Sequence, residues 1–302
     1  MFEELGDDAA LATVWTELAL IEWMPCRYDR AKLAADRAIE YARRSDDERL
    51  LGKALLPLIA AQMFGPATPD EGLRRLDELS GDLSESRLHE SFLLFAQAFY
   101  AAMQGSFEEA RRLVALADDV AESIGAGFAL GADAEGLGHI ELYAGDPEAA
   151  ERAFRRNDEN LEGRGDEGHG STGAAMLARA LCELGRFEEA GRYVEIALRI
   201  GAADDLATQV PARSTQALVL AARGEFAEAE QLAREAVALF ADAECPNFQG
   251  DAWLDLAQVL RKAGKPVEAG QAAGRALAFY ERKENRPASA ATRAFMDGLG
   301  PT

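Results

Sequence analysis

The chain has 302 residues, of which 48% are hydrophobic and 28% charged, enough apolar side chains for a large core. Acidic residues outnumber basic ones 53 to 32, and the net charge of −21 repels phosphate backbones and anionic lipid, which sets nucleic acid and membrane surfaces aside as partners. The longest apolar run, Ala54 to Ala61, falls far short of the roughly 20 residues a membrane span requires. Acidic Glu3, Glu4, Asp7 and Asp8 near the start argue against a signal peptide. Cys26, Cys182 and Cys245 lie far apart in sequence, and an odd number offers no disulfide framework, so a reducing cytoplasm is the expected location. A chain this long implies two domains or one repeat array.

The repeat array is visible in chain order. A first, weak copy is Tyr28-Asp29-Arg30-Ala31, with Cys26 where later copies carry Gly. A second, Pro69-Asp70-Glu71-Gly72, has Gly where Ala is expected. Full copies follow at Gly105-Ser106-Phe107-Glu108-Glu109-Ala110, Gly145-Asp146-Pro147-Glu148-Ala149-Ala150 and Gly185-Arg186-Phe187-Glu188-Glu189-Ala190. Two more are Gly224-Glu225-Phe226-Ala227-Glu228-Ala229 and Gly264-Lys265-Pro266-Val267-Glu268-Ala269. The closing alanines of the five full copies are spaced 40, 40, 39 and 40 residues apart.

Each copy reads as the turn of a helical hairpin. Gly ends the first helix because it tolerates φ > 0 at a C-cap. An aromatic or Pro and then acidic residues suit the first turn of the second helix. Small residues recur along the second helix, as in Ala229, Ala233 and Ala236, at helical spacing. Twelve residues before each closing position stands another small residue: Ala19, Ala60, Ala98, Gly138, Ala178, Ala217 and Ala257. Small facing small lets paired helices approach closely. The expected fold is all-α, a right-handed α-solenoid of about seven antiparallel hairpins forming a single array over 1–302. The units fall near 9–44, 48–80, 88–124, 128–162, 171–201, 207–241 and 248–284, with a capping helix at 287–299.

These residues resemble the tetratricopeptide repeat, over nearly the whole chain. Trp15 with Ala19, and Trp253 with Ala257, match that family's early large residue and the small residue after it. The period departs from the family: about 40 residues against about 34. The extra residues fall between units, as in Ile200 to Asp205. The stretches Phe64 to Glu71, Ala203 to Val210, and Arg223 to Leu239 are similar to the C-terminal repeat region of bacterial nucleotide-cyclase/AAA-ATPase signalling regulators. There a cyclase and an ATPase domain precede the repeats. This sequence has no G-x-x-x-x-G-K-[ST] loop, so neither activity carries over. Met1 to Asp8 looks like the tail of a preceding helix, and the chain reads as a fragment or a stand-alone relative of such an arm.

Catalytic constellations are absent from the pattern. His89, His139 and His169 fall in different units, no Cys or His pair has metal spacing, and there is no Gly-x-Ser-x-Gly elbow. No enzyme activity, cofactor or metal is expected. The Gly-rich segment Leu161 to Gly173 reads as an inter-unit loop with Ser171 or Thr172 as the next N-cap, in preference to an anion-binding loop around Arg164. Asn157 stands where an apolar residue is usual, either weakening packing or bonding a neighbouring backbone group. Basic clusters at Arg27, Arg30, Lys32 and Arg37, and at Arg152, Arg155 and Arg156, read as solvated outer faces.

The resemblance implies that the first helix of each pair lines a concave groove, at fixed positions before the closing Ala. Transferring that spacing selects Phe92, Phe95, Phe99, Ala102 and Met103 in unit three. It selects Ala132, Glu135, His139, Leu142 and Tyr143 in unit four, and Thr172, Ala175, Arg179, Cys182 and Glu183 in unit five. Trp23 and Met24 come from unit one and Phe64 from unit two. An aromatic and Met stripe with His139, Tyr143 and Arg179 beside it suits an apolar peptide or helix. The competing reading makes the same aromatics inter-unit core. The Lys/Asn clamp that some members use for C-terminal carboxylates is missing from these positions. The expected function is a non-catalytic protein-protein interaction scaffold or regulatory arm, whose partner is a protein or peptide segment or an adjacent domain of a larger regulator. The alternative is a ligand- or peptide-sensing arm of a multidomain cyclase/ATPase or transcriptional regulator.

Overall fold

A computed structural model describes residues 6–80, 87–125, 127–162 and 167–299. Fifteen helices are formed among the described residues, and no strand. They pair as α1 (Asp8–Trp23) with α2 (Tyr28–Arg44), α3 (Glu48–Phe64) with α4 (Pro69–Ser80), and α5 (Arg87–Met103) with α6 (Phe107–Ser123). Next come α7 (Gly127–Ala144) with α8 (Pro147–Glu162), α9 (Glu167–Glu183) with α10 (Phe187–Ile200), α11 (Leu206–Ala222) with α12 (Phe226–Leu239), and α13 (Pro246–Lys262) with α14 (Pro266–Lys283). A final helix, α15 (Arg286–Asp297), folds back beside α14. The architecture is the right-handed α-solenoid that the repeat predicts.

The turns show why the sequence breaks where it does. Gly105, Gly145, Gly185, Gly224 and Gly264 all adopt φ between 74° and 86°. At Gly105 the chain makes the paired closing bonds of a Schellman turn: Gly105 N–H donates to the Ala102 carbonyl and Ser106 N–H to the Ala101 carbonyl. The first hairpin makes the same turn with a cysteine. Cys26 has φ 54°, its N–H donates to the Trp23 carbonyl, and Arg27 N–H donates to the Glu22 carbonyl.

Small residues permit the close helix pairing. A Cβ added to Gly138 would lie 2.4 Å from the Phe154 ring, so α7 and α8 meet at this contact only without one. Gly72 has a similar explanation. A Cβ there would sit 2.1 Å from the Tyr100 ring, which is why the second unit closes on Gly instead of Ala. Outer faces are tied between neighbouring hairpins by ion pairs. Arg155 bridges Glu151 and Glu189, and Arg111 holds Glu141 with two bonds of 2.8 and 2.7 Å. Arg155 and Arg156, expected on a solvated outer face, pair there with Glu151, Glu189 and Asp118.

The stack curls until its ends meet. Leu206 N–H at the start of α11 donates to the Met24 carbonyl, and Glu244 N–H donates to the Cys26 carbonyl. The Glu244 carboxylate accepts from Asp29 N–H at 2.7 Å. Tyr28, Val210, Phe240, Cys245 and Phe248 then share one buried cluster with Cys26. The segment expected as an end cap also crosses the superhelix: α15 packs on α5 and α7 as well as α14.

Two local expectations change. Ser171 and Thr172 do not cap the next helix, because α9 already begins at Glu167. Their hydroxyls instead meet Thr208 at 3.1 and 2.8 Å, and Thr208 in turn donates to Asp205. Residues 1–5 and 163–166, including Arg164, lie outside the described residues, as do the side chains of Ala132, Asn157 and His169. No helix among the described residues is long and apolar enough to cross a membrane.

Candidate functional site

The inner face of the curl divides into an apolar part and a polar part. The apolar part is a continuous set of rings running across the closure. Phe64 from α3 meets Phe99 edge-on at 5.4 Å and stacks on Phe248 from α13 at 5.9 Å. Phe248 continues to Phe240 at 6.3 Å and to His139 at 5.9 Å. Phe99 reaches Tyr143 at 6.1 Å, and His139 stands edge-on to Phe154 at 5.8 Å. Contacts of this geometry bind rings beyond their area burial alone.

This packing fills the stripe that the sequence reading left open. Phe92, Phe95 and Phe99 are 7, 8 and 1% exposed, and Met103 is fully buried. Phe95 occupies the space left by the missing side chain of Gly136, so it fills the joint between hairpins. Met103 accepts a hydrogen bond from Asn247 at 3.4 Å. Trp23 and Phe64 pack partly buried at the closure, while the Met24 side chain faces solvent. Glu135 is half-buried. The structure thus brings Phe64, Phe92, Phe95, Phe99, Met103 and Tyr143 into one core cluster, with His139 and Arg179 adjoining it, and leaves Met24 outside. The physical reason is curvature: the apolar inner faces of opposite hairpins cover one another before any partner is present.

The polar part is built by α7, α9, α13 and the end of α14. Arg179 donates to Asp255 at 2.6 Å and pairs with Glu183 at 3.5 Å. Tyr280 donates to Asp251 at 2.5 Å. Asn285 donates to Asn247 at 3.1 Å. The other Asp255 oxygen is buried without a hydrogen-bond partner among the described residues. Three carboxylates thus surround one guanidinium.

Titration reflects that crowding. Burial pushes the Asp251 carboxyl up to about 6, against the attraction of Arg179 and the Tyr280 hydrogen bond. Burial also raises Asp255 and Glu183. His139 is pushed down to about 4 by burial, with Arg179 adding to the effect, so it is neutral at pH 7. Glu183 keeps 39% of its side chain in contact with solvent, and Tyr143 and Asp251 are half-buried. These groups are recessed yet reachable. Among the described residues no group of three His, Cys, Asp or Glu side chains has the arrangement of a metal site.

Asp251, Asp255, Tyr280, Asn247 and Asn285 were not singled out by the sequence reading. The groove spacing applied to the last unit, 18 residues before Ala269, falls on Asp251 and would have found it. Asp255 and Asn285 carry no such signal.

Comparisons with known proteins agree on the fold. A family model described as tetratricopeptide repeat matches residues 210–235. A search of curated proteins finds no match. Among solved structures, the chain is similar to one in the APC/C hetero-tetramer Cut9-Hcn1, with TM-score 0.67 and 14% identity. That match covers 93% of this chain and 48% of the other, so the chain spans about half the length of that relative. It is similar to NprR in complex with its cognate peptide NprX, with TM-score 0.63 and 12% identity over 97% of this chain and 83% of that one. It is also similar to a Rap protein complexed with Competence and Sporulation Factor, with TM-score 0.62 and 14% identity over 98% and 88%. At these identities the likeness is one of tetratricopeptide-like architecture.

Proposed function

We propose that this chain is a non-catalytic interaction protein that recognises a polypeptide segment at the inner face of its superhelix. The observation that carries the reading is the recessed polar patch of Tyr143, Arg179, Glu183 and Asp251, where solvent reaches charged groups set among protein on the concave side. Sites for polypeptide combine apolar walls with a few oriented polar groups, and the ring set beside the patch supplies the walls. Among neighbours of similar fold, NprR is solved with its cognate peptide NprX and a Rap protein with Competence and Sporulation Factor, which supports a polypeptide partner here. Of the groove residues expected from sequence, Glu135, Tyr143 and Arg179 belong to the face proposed for the closed state. Phe92, Phe95, Phe99, Met103 and His139 are covered and would join it only when the ends separate, while Trp23 and Phe64 are half-buried at the closure. Met24 lies outside it. The partner is a protein or peptide segment, or an adjacent domain of a longer regulator, and the setting is cytoplasmic. The net charge of −21 disfavours nucleic acid and anionic lipid as partners.

The test is selection of binders from a random peptide library displayed on phage, using the wild-type chain. Selected peptides are then measured by fluorescence anisotropy against Arg179→Gln and Asp251→Asn, with folding checked by circular dichroism. Affinity should fall by about tenfold or more in at least one variant, the loss of one well-made polar contact. Equal affinity for wild type and both variants would move the binding face elsewhere.

A further inference from the structure

We infer that Cys26 and Cys245 are a redox pair whose disulfide staples the superhelix shut. The two residues come from opposite ends of the chain and meet at the seam where those ends join. Both are free and fully buried, and they belong to the same buried cluster. Tyr28 packs in that cluster as well. The backbone on either side is already in register, through Glu244 N–H to the Cys26 carbonyl and Leu206 N–H to the Met24 carbonyl.

The placement of Cys26 is the second observation. It sits in left-handed backbone, φ 54°, at the C-cap filled by Gly in the five later hairpins. A side chain there costs about 1 kcal/mol or more relative to glycine. Packing alone gives little reason for a thiol at this turn, since glycine closes the same turn elsewhere without strain. Cys245 occupies the N-cap of α13, yet its side chain makes no capping bond. Both cysteines are therefore brought together in positions where neither thiol serves its own helix.

The chemistry is thiol–disulfide exchange with a low-molecular-weight disulfide such as oxidised glutathione. One cysteine thiolate attacks it, forming a mixed disulfide and releasing one glutathione thiolate. The second cysteine thiolate attacks the protein sulfur of that mixed disulfide, forming the Cys26–Cys245 bond and releasing the second glutathione. Two protein thiols are oxidised and one glutathione disulfide is reduced to two thiols. Burial raises the Cys245 thiol well above its usual range, so the pair is slow to react while the seam is closed. Oxidation proceeds through opening of the seam, and the bond then fixes the closed form with Phe64 and Phe99 covered.

The experiment exposes the full chain to oxidised glutathione in buffer and in mild urea, dilutes out the urea and quenches with acid. Thiol titration of the denatured product should fall from three to one per chain, with Cys182 as the remaining thiol by peptide mapping. The closing of so long a loop should raise the thermal midpoint by roughly 10 °C, reversed by dithiothreitol. Cys26→Gly restores the residue that other hairpins use, so it folds, and it should show neither the thiol loss nor the thermal shift. Three thiols remaining after both treatments, a glutathione adduct that never resolves, or a bond between two chains would each overturn the staple.

Discussion

Lys283 and Gly65 are 218 residues apart in sequence, yet the ammonium of one donates to the carbonyl of the other at 2.7 Å. The same nitrogen donates to the Ala67 carbonyl at 2.6 Å and the Gln62 carbonyl at 3.3 Å, and the side chain is fully buried. A cation at the end of α14 thus caps α3, whose last carbonyls carry the negative end of the helix dipole. The contact belongs to the same closure as the seam at Cys26, one hairpin further along.

Lys283→Met keeps the length of the side chain and removes the donor. Three carbonyls then lose a hydrogen bond each, at a cost of about 1–3 kcal/mol. Burial of the ammonium offsets part of this, because it lowers the Lys283 pKa to about 7 against the attraction of Glu71. Between that value and the usual lysine range only the unfolded chain holds the proton, so wild-type stability rises with pH across the window and the variant lacks that rise. Urea unfolding at pH 6 and pH 9 checks it: the deficit of Lys283→Met should be larger at pH 9. An equal or smaller deficit at pH 9 would mean that burial does not lower the Lys283 pKa.

Gly138 tests the close approach of α7 and α8. Alanine normally strengthens a helix by up to about 1 kcal/mol relative to glycine. Here its Cβ would meet Phe154 at 2.4 Å, and Phe154 is 1% exposed with little room to shift. Overpacking of this kind costs about 1–3 kcal/mol, so Gly138→Ala should destabilise the chain in spite of its helix propensity. Phe154→Leu in the same chain should recover part of the loss, visible as a favourable coupling in a double-mutant cycle.

How far the sequence reaches can be judged from these residues. Gly138, Gly105 and Ala269 each belong to a series that recurs about every 40 residues, because every hairpin solves the same local problem, ending one helix and packing tightly on the next. Hairpins are therefore legible from one chain. Closure is a different kind of fact. Lys283 looks like an ordinary basic residue in the last turn of a helix, and nothing within α14 says that a distant loop will bury it. Cys26 is conspicuous for replacing a glycine, yet its partner Cys245 appears only once curvature brings the ends together. The ring of Phe99 was legible as an inner-face residue, whereas its burial depends on Phe64, Tyr143 and the opposite hairpins. Asp251 lay within reach of the repeat spacing.

Asp251→Asn removes a charge that the fold holds at a cost. Its carboxyl titrates at about 6 in the folded chain, above the ordinary value of 3.8. At pH 7 the folded state bears an ionised group that it accommodates less well than water does. Asparagine still accepts from the Tyr280 hydroxyl, and Arg179 keeps Asp255 as its partner. Allowing for partial contact with solvent, the variant should be more stable at pH 7 by about 1–3 kcal/mol, with the gain disappearing as pH falls through 6 towards 4. Chemical denaturation across that range reads it directly. A destabilised variant at pH 7 would mean that the Asp251 charge is needed by Arg179.

His139 should produce the opposite slope over nearly the same window. Its folded value of about 4 lies below the ordinary 6.5, so between those values the unfolded chain takes up a proton that the folded chain refuses. Stability from this group is complete above about pH 6.5 and is lost as pH falls towards 4, by about 3 kcal/mol in all. Asp251 gains over most of that interval, because there the folded chain holds the extra proton. The two effects oppose each other in the wild type. Replacing His139 with Phe keeps a ring against Phe154 and Phe248 and leaves nothing to titrate. Relative to wild type, His139→Phe should therefore become progressively more stable as pH is lowered from 7 to 4, while Asp251→Asn becomes progressively less so. If the two difference curves run parallel, the imidazole and the carboxyl do not titrate against the same buried surroundings.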